Sequence, residues 1–449
     1  MDHSRSKKLK TQKENLASDE GQDFISSLPE DVRCKILSYL STRDAVKTCI
    51  LSSKWRYTWA TIPELSVSED DFISPIASER ITRSRLVKFV DILLYLHNGP
   101  IFKFKLEAGK CSRENYFEYF RVAFARWILH LSRRKEFHEF FFSSSSKHLF
   151  NLPTSLFLCH GLSILNLHDC HINLPSAFEG FKLMRVLELQ DCVISGDDIE
   201  RLVSSCPLLD ELVLETASFG LFNPNMELSL KICAPKLKKL IIHGRFVSLL
   251  LKTPCLVKAC FDLEVRPARV NARANLVEAL GALPEVEVLG FHQQFFAYLA
   301  AGSLPDHLPS TLDKLKILSL DVNLASPEEA SVMRLLLQNA PNLVELNLTN
   351  STTDRADWFS QTNSTMTCAG QWEIDSGSFF MSLRVVELYE FFISRSELAF
   401  LKFILASAPL LEQLTVIKEQ VTDAREKDAV IEILKRIPKV SVNLQITLE

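Results

Sequence analysis

The pattern L-x-x-L-x-L, with other apolar residues allowed at each L, recurs from Phe137 to the end of the chain. No other feature restricts the fold as strongly, because a period of this length marks stacked repeats. The triplets are Phe137-Phe140-Phe142, Leu162-Leu165-Leu167, Met184-Leu187-Leu189, Leu209-Leu212-Leu214 and Leu237-Leu240-Ile242. They continue with Val286-Leu289-Phe291, Leu315-Leu318-Leu320, Leu343-Leu346-Leu348, Leu383-Val386-Leu388 and Leu411-Leu414-Val416, and a degenerate copy is Leu256-Ala259-Phe261. Proline stands two residues before the leading apolar residue at positions 207, 235, 254, 284, 341 and 409. Helical stretches precede several of these prolines: 198–205, 274–283, 328–339 and 397–407. Proline ends a helix and sets up an extended entry to a strand, so each unit reads as helix, proline, short strand, loop. One unit cannot bury its leucines alone, whereas stacked units share a continuous core. The fold class expected is α/β: an irregular solenoid with a parallel sheet inside and helices outside.

A second stretch, Leu28 to Trp59 (LPEDVRCKILSYLSTRDAVKTCILSSKWRYTW), has more apolar surface than a unit of its size can bury. Pro29 suits the first position of a helix, and Glu30 and Asp31 suit its positive end. Val32, Ile36 and Leu40 recur at helical spacing. Ser41 or Thr42 can cap a second helix carrying Ala45, Val46, Cys49 and Ile50, and Ser52 or Ser53 a third with Trp55 and Trp59 on one face. This arrangement resembles the F-box of plant F-box proteins through Leu28-Pro29, Asp31-Val32, Ile36-Leu37, Leu40, Arg43-Asp44-Ala45-Val46, Thr48, Leu51-Ser52, Lys54-Trp55-Arg56 and Trp59.

The repeats are similar to the leucine-rich repeats of the same plant proteins. Cys170 and Cys192 fall three residues after their last leucine (170 − 167 and 192 − 189), where such repeats place Asn or Cys to satisfy turning backbone groups. The ending, from Ser382, resembles the FBD module that follows the repeats in one subfamily, and its final strand can close the exposed edge of a solenoid. The expected organisation is a disordered polar tail (1–22), a three-helix F-box (23–62), a polar linker (63–84), the leucine-rich-repeat solenoid (85–350), a polar loop (351–378) and the FBD-like cap (379–449). In the tail, Arg5, Lys7, Lys8, Lys10 and Lys13 form a cluster of the kind that serves nuclear import, although solvated disorder accounts for it equally.

Hydrophobic residues make up 47% and charged residues 24%, the balance of an ordinary soluble globular protein. The formal net charge of −4 is too mild for a nucleic-acid or anionic-membrane partner, and no apolar run approaches the length of a membrane span. The 11 cysteines form no framework and read as reduced thiols in the cytoplasm or nucleus.

No phosphate-binding Gly-rich loop, nucleophile elbow, H-E-x-x-H or C-x-x-C pair occurs, and no cofactor is expected. Cys159-His160 with His168-Asp169-Cys170-His171 supplies zinc-ligand types, but a repeat strand sends His168 and Cys170 to different faces. The F-box resemblance implies a non-catalytic substrate receptor of an SCF-type (cullin–RING) ubiquitin ligase. The F-box would dock on a Skp-family adaptor, and through it on cullin, using Leu28, Pro29, Ile36, Val46, Leu51 and Trp55. A protein scaffold without ligase output and a small-molecule sensor acting through the repeats are the alternatives. Strand alternation directs the residues between the leucines to the concave face, where Glu188, Glu211, Glu215, Asp262, Asp321 and Glu345 are expected to meet a basic segment of a target protein.

Overall fold

The computed structural model describes residues 23–73, 78–109, 114–144, 150–215, 228–244, 246–263, 283–292, 311–350, 380–391, 394–417 and 436–448, with a few isolated positions between them. The chain divides into two compact units, Met1–His148 and Leu149–Glu449. The expectations for residues 1–22 and for most of 274–283 and of 351–378 fall outside the described residues.

In the first unit, two short helices, α1 (Glu30–Leu37) and α2 (Thr42–Lys47), open the fold. Pro29 is the N-cap of α1, one position earlier than expected, and Ser41 caps α2 by accepting from the Asp44 N–H at 3.1 Å. The third helical segment is built from turns and short 3-10 helices, Thr48–Ile50 and Thr58–Thr61, rather than from an α-helix. Three parallel strands follow: β1 (Glu64–Ser68), β2 (Lys103–Ala108) and β3 (Glu139–Ser144), with helices α3 (Glu79–Leu96) and α4 (Glu114–Ser132) as the connections. Phe104, Phe120, Phe124, Trp127, Phe140 and Phe142 fill the space between sheet and helices.

This corrects the assignment of residues 63–84 as a linker. Leu65 and Val67 of β1 are buried and pair in register with Phe104 and Leu106 of β2. The acidic run after β1 is not solvated either. Glu69 is buried, accepts two hydrogen bonds from Arg83 at 3.0 and 2.5 Å, and accepts a third from the Gly109 N–H at 2.6 Å. Arg83 also lies over the Phe120 ring. The helical hairpin joins this same core: the Thr42 hydroxyl accepts from Ser66 N–H at 2.8 Å, and Asn98 and Gly99 N–H groups donate to the Ala60 carbonyl. Only glycine fits at 99, where a Cβ would come 2.8 Å from the Thr61 Cα.

The second unit contains a short parallel pair, β4 (Phe150–Asn151) with β6 (Cys170–His171), and the parallel ladder β5 (Ile164–His168), β7 (Val186–Gln190), β8 (Glu211–Glu215), β10 (Lys239–Gly244), β12 (Lys258–Leu263), β13 (Val288–Phe291), β14 (Ile317–Val322), β15 (Glu345–Asn350), β16 (Val385–Tyr389), β17 (Gln413–Ile417) and β18 (Gln445–Leu448), the ladder in that spatial order. The middle residue of each triplet stands opposite its counterpart: Leu165, Leu187, Leu212, Leu240, Ala259, Leu289, Leu318, Leu346, Val386 and Leu414 form one continuous row. The degenerate copy keeps the same register as the others. Burial of each leucine contributes about 1.5–3 kcal/mol, so the row and its two flanking rows supply the dominant stabilising term.

Helices α5 (Gly196–Ser204), α6 (Pro327–Gln338) and α7 (Arg395–Ser407) precede Pro207, Pro341 and Pro409. Each begins with a serine whose hydroxyl accepts a backbone N–H two or three residues into the helix: Ser195 from Asp198, Ser326 from Glu329, Ser394 from Glu397. Ser394 and Glu397 form a reciprocal capping box, and the fully buried Glu397 also accepts from Asn350. Two other described segments of the outer layer are extended. Strands β9 (Leu228–Cys233) and β11 (Phe246–Lys252) pair with each other ahead of Pro235 and Pro254. Only 19 residues separate the leading leucines on either side of β11 (256 − 237), too little chain for a helix, and an extended segment spans that gap; β9 lies in a 28-residue repeat (237 − 209), so length does not account for it. The FBD-like end continues the ladder, since β16 pairs in register with β15 and β18 with β17.

Candidate functional site

Two surfaces carry features that packing does not explain. The first lies on the helical hairpin of the first unit. Leu37, Ala45, Trp55 and Trp59 form its interior, and the Trp55 indole donates to the Ser26 hydroxyl at 3.0 Å. Trp55 is 2% exposed and is therefore corrected from an adaptor contact to a core residue of its own chain. Of the other expected contacts, Pro29, Ile36 and Leu51 are exposed, while Leu28 and Val46 are half-buried. Val32 and Ile36 are exposed on one face of α1. The expectation omitted several larger groups: Ile50 is 84% exposed, Phe24 63% and Ile25 61%. A signal for them existed. Ile50-Leu51 is a consecutive apolar pair that cannot both face one interior, and Phe24 and Ile25 precede Leu28 at helical spacing.

The second surface is the open face of the ladder in the second unit. Half-buried polar side chains alternate with the buried leucines, and Glu188, Glu211, Glu215, Asp262, Asp321 and Glu345 all belong to it. Several of these carboxylates already have partners on the next strand. Glu211 meets Lys239 at 3.1 Å, Asp262 meets His243 at 2.6 Å, and Asp321 meets the His292 Nδ1 at 2.9 Å. Glu188 and Glu345 accept from the amides of Asn166 and Asn347. The hydrogen bond from His292 to Asp321, and then its interaction with Cys260, raise the His292 imidazole to about 10.

The strand ends form a rim. Asp169, Asp191 and Glu390 adopt φ of 57°, 49° and 54°, turning the chain so that Cys170, Cys192 and Phe391 re-enter the core. Cys192 Sγ lies 3.3 Å from both the Leu167 and Gln190 carbonyls, the contact with turning backbone that its spacing implied. His168 bridges Asp169 and Asp191 at 3.2 and 3.3 Å. Cys170 is fully buried, its thiol donating to the His168 backbone carbonyl at 3.3 Å, and burial pushes the Cys159 thiol up to about 12. His171 turns instead to Asn151, at 2.9 Å. Among the described residues no group of three or more His, Cys, Asp or Glu is placed to hold a metal ion, and no helix is long and apolar enough to cross a membrane.

Comparison with known proteins matches three family models in the same order along the chain. They are the F-box domain at residues 25–65, the LRR repeats of the "FBD-associated F-box protein At5g56370" family at 124–348, and FBD at 378–416. The Arabidopsis thaliana F-box/FBD/LRR-repeat protein At1g13570 is 33% identical across 95% of this chain and 98% of its own length. The FBD-associated F-box protein At1g66310 of the same plant is 26% identical across 96% of both chains. A third relative, the FBD-associated F-box protein At5g56370, is 29% identical over 52% of each chain. The hairpin with its outward apolar residues, the in-register leucine ladder and the continuation through β18 thus coincide with matched modules, and the chain belongs to the plant F-box/FBD/leucine-rich-repeat family.

Proposed function

We propose that this protein is the substrate-recognition subunit of an SCF-type (cullin–RING) ubiquitin ligase. The observation that carries the reading is the hairpin's division of its apolar residues. Its interior is complete with Leu37, Ala45, Trp55 and Trp59, yet Ile36, Ile50 and Leu51 stay in water. Leaving large apolar groups exposed beside a finished core is the signature of a surface kept for another chain. The occupant proposed is a Skp-family adaptor, which joins the chain to cullin through Leu28, Pro29, Ile36, Val46 and Leu51.

The repeats then hold a protein target close to the ubiquitin-loaded enzyme. The chain itself makes and breaks no bonds; it raises the effective concentration of a target lysine. We place the target on the open sheet face, but its electrostatic part is narrower than the six carboxylates suggest. Glu211, Asp262 and Asp321 are already partnered by Lys239, His243 and His292, which leaves Glu188, Glu215 and Glu345 as the residues to attract a basic segment.

The test is reconstitution. The full-length chain is mixed with purified adaptor and cullin, and co-elution is compared with the Leu28→Ala, Pro29→Ala double variant. Co-elution of the wild type and its loss in the variant support the reading. Absence of a wild-type complex rejects it.

A further inference from the structure

A helix in the outer layer of a repeat protein needs one apolar face to hold it to the sheet, and its other side is free to be polar. Helices α5 and α6 of the second unit follow this rule, with Asp197, Glu200 and Arg201 outward on the first and Glu328, Arg334 and Gln338 on the second. Among the described residues, no large apolar side chain is exposed on α5, α6 or α7. Helices α3 and α4 of the first unit depart from it. Their inner faces are complete, with Leu86, Val90 and Leu93 of α3 and Phe120, Phe124 and Trp127 of α4 all buried. A second stripe nevertheless runs along the outer side of each. On α3 it is Ile81, Arg85, Lys88, Ile92 and Tyr95, at the steps of four and three that keep residues on one side of a helix. On α4 it is Tyr119, Val122, Arg126 and Leu129, with Arg133 just past the helix end. All ten are exposed; six are apolar or aromatic, four are cationic and none is a carboxylate. Aromatic residues and arginine in the absence of acidic groups are the composition of an interface core rather than of a solvated surface.

The two stripes belong to one surface. Helix α3 connects the parallel neighbours β1 and β2, and α4 connects β2 and β3, so the helices lie side by side and run the same way. Asp91 of α3 fastens them together, accepting from the Arg126 guanidinium at 2.6 and 2.8 Å and from the Trp127 indole at 2.7 Å. Two parallel helices joined in this way leave a groove between their ridges that matches the ridge of a third. We propose that this groove docks an acidic amphipathic helix of a partner protein. The charges select that occupant over two others. A second copy presenting the same surface would set Arg85, Lys88 and Arg133 against like charges. A lipid layer would have to bury the cations, because they interrupt the apolar rows instead of bordering them. A helix with an apolar seam flanked by carboxylates covers Ile92, Tyr95, Val122 and Leu129 and neutralises Arg85 and Lys88 at the same time. None of these residues belongs to the hairpin, and the docking does not depend on the ligase reading.

The probe is a labelled synthetic peptide about three heptads long, with Leu at a and d and Glu at e and g, and its counterpart carries Gln in place of Glu. Each is titrated with the full-length chain and followed by fluorescence anisotropy at low salt. The Glu peptide is expected to bind at least ~10-fold more tightly than the Gln peptide, and high salt should narrow the difference. The Arg85→Glu, Lys88→Glu double variant should bind the Glu peptide no better than the Gln peptide. The Ile92→Asp, Leu129→Asp double variant should lose both, and its melting curve establishes that it is folded. A wild-type chain that does not bind the Glu peptide, or does not prefer it to the Gln peptide, overturns the proposal without any variant. An undiminished preference in the charge-reversed chain, or undiminished binding in the folded Ile92→Asp, Leu129→Asp chain, overturns it as well. Light scattering that shows a dimer abolished by Ile92→Asp would assign the surface to a second copy. Ile92-dependent sedimentation with phosphatidylserine vesicles would assign it to a membrane, and either result rejects the acidic helix.

Discussion

The hairpin of the first unit and the ladder of the second use the same residue types to opposite ends. In the ladder, Leu240 and Leu346 are completely buried, and each stands in register with an apolar residue on the neighbouring strands. In the hairpin, isoleucine and leucine lie beside a closed core and face solvent. The difference teaches that apolar content does not measure a domain's own stability. What counts is whether each apolar group has a neighbour within its own chain. Substitutions in the two regions should therefore be felt by different measurements.

The largest effect belongs to the ladder. Leu240→Ala or Leu346→Ala should cost ~2–5 kcal/mol in denaturant unfolding, because the row cannot close over the cavity. An unchanged unfolding midpoint would break the comparison at once. Next is the hairpin surface: replacing Leu28 and Pro29 together by Ala should weaken adaptor binding by at least ~2 kcal/mol, the scale of a central contact. Calorimetric titration measures the loss, and the melting temperature should hold. Trp55→Phe sharpens the boundary between the two classes. It removes the donor to Ser26, so stability should fall by ~1 kcal/mol while adaptor affinity is kept. The reverse pattern would return Trp55 to the interface. The smallest effect lies on the polar sheet face. His292 is raised from 6.5 to about 10, so the stability it contributes is fully present below pH 6.5 and is lost as pH rises toward 10. The melting-temperature gap between wild type and His292→Gln should narrow over that window, and a gap that widened would contradict the His292–Asp321 pairing.

The ladder was legible in the sequence because its signal is redundant. Each triplet repeats the same two buried positions, and proline marks the entry, so even Leu256-Ala259-Phe261 kept its place. Strand β1 was missed because only Leu65 and Val67 mark it, next to an acidic run that reads as solvated until Arg83 is seen against Glu69. Strands β9 and β11 escaped because nothing in a proline distinguishes the helix from the strand it terminates. The sides of the hairpin were not readable either. A segment with surplus apolar residues does not reveal by spacing which of them its own core will claim, and Trp55 was assigned outward for that reason. His292 and Asp321 come together only through the register of β13 and β14, and that pairing must be known before their chemistry can be read.

The unbroken register of the second unit also fixes a ruler. Equivalent positions on neighbouring parallel strands recur at a single step of about 4.8 Å, so the polar residues between the leucines form a grid rather than a scatter of contacts. A partner lying across the strands, as proposed for the target, would be read against that step. One turn of an α-helix advances about 5.4 Å and slips by only about 0.6 Å per strand, so a helix can place one side chain over each of several consecutive strands. An extended segment presents same-side residues about every 6.6 Å and falls out of phase after two. The spacing of the ladder therefore favours helical over extended partners, whatever side chains the grid displays.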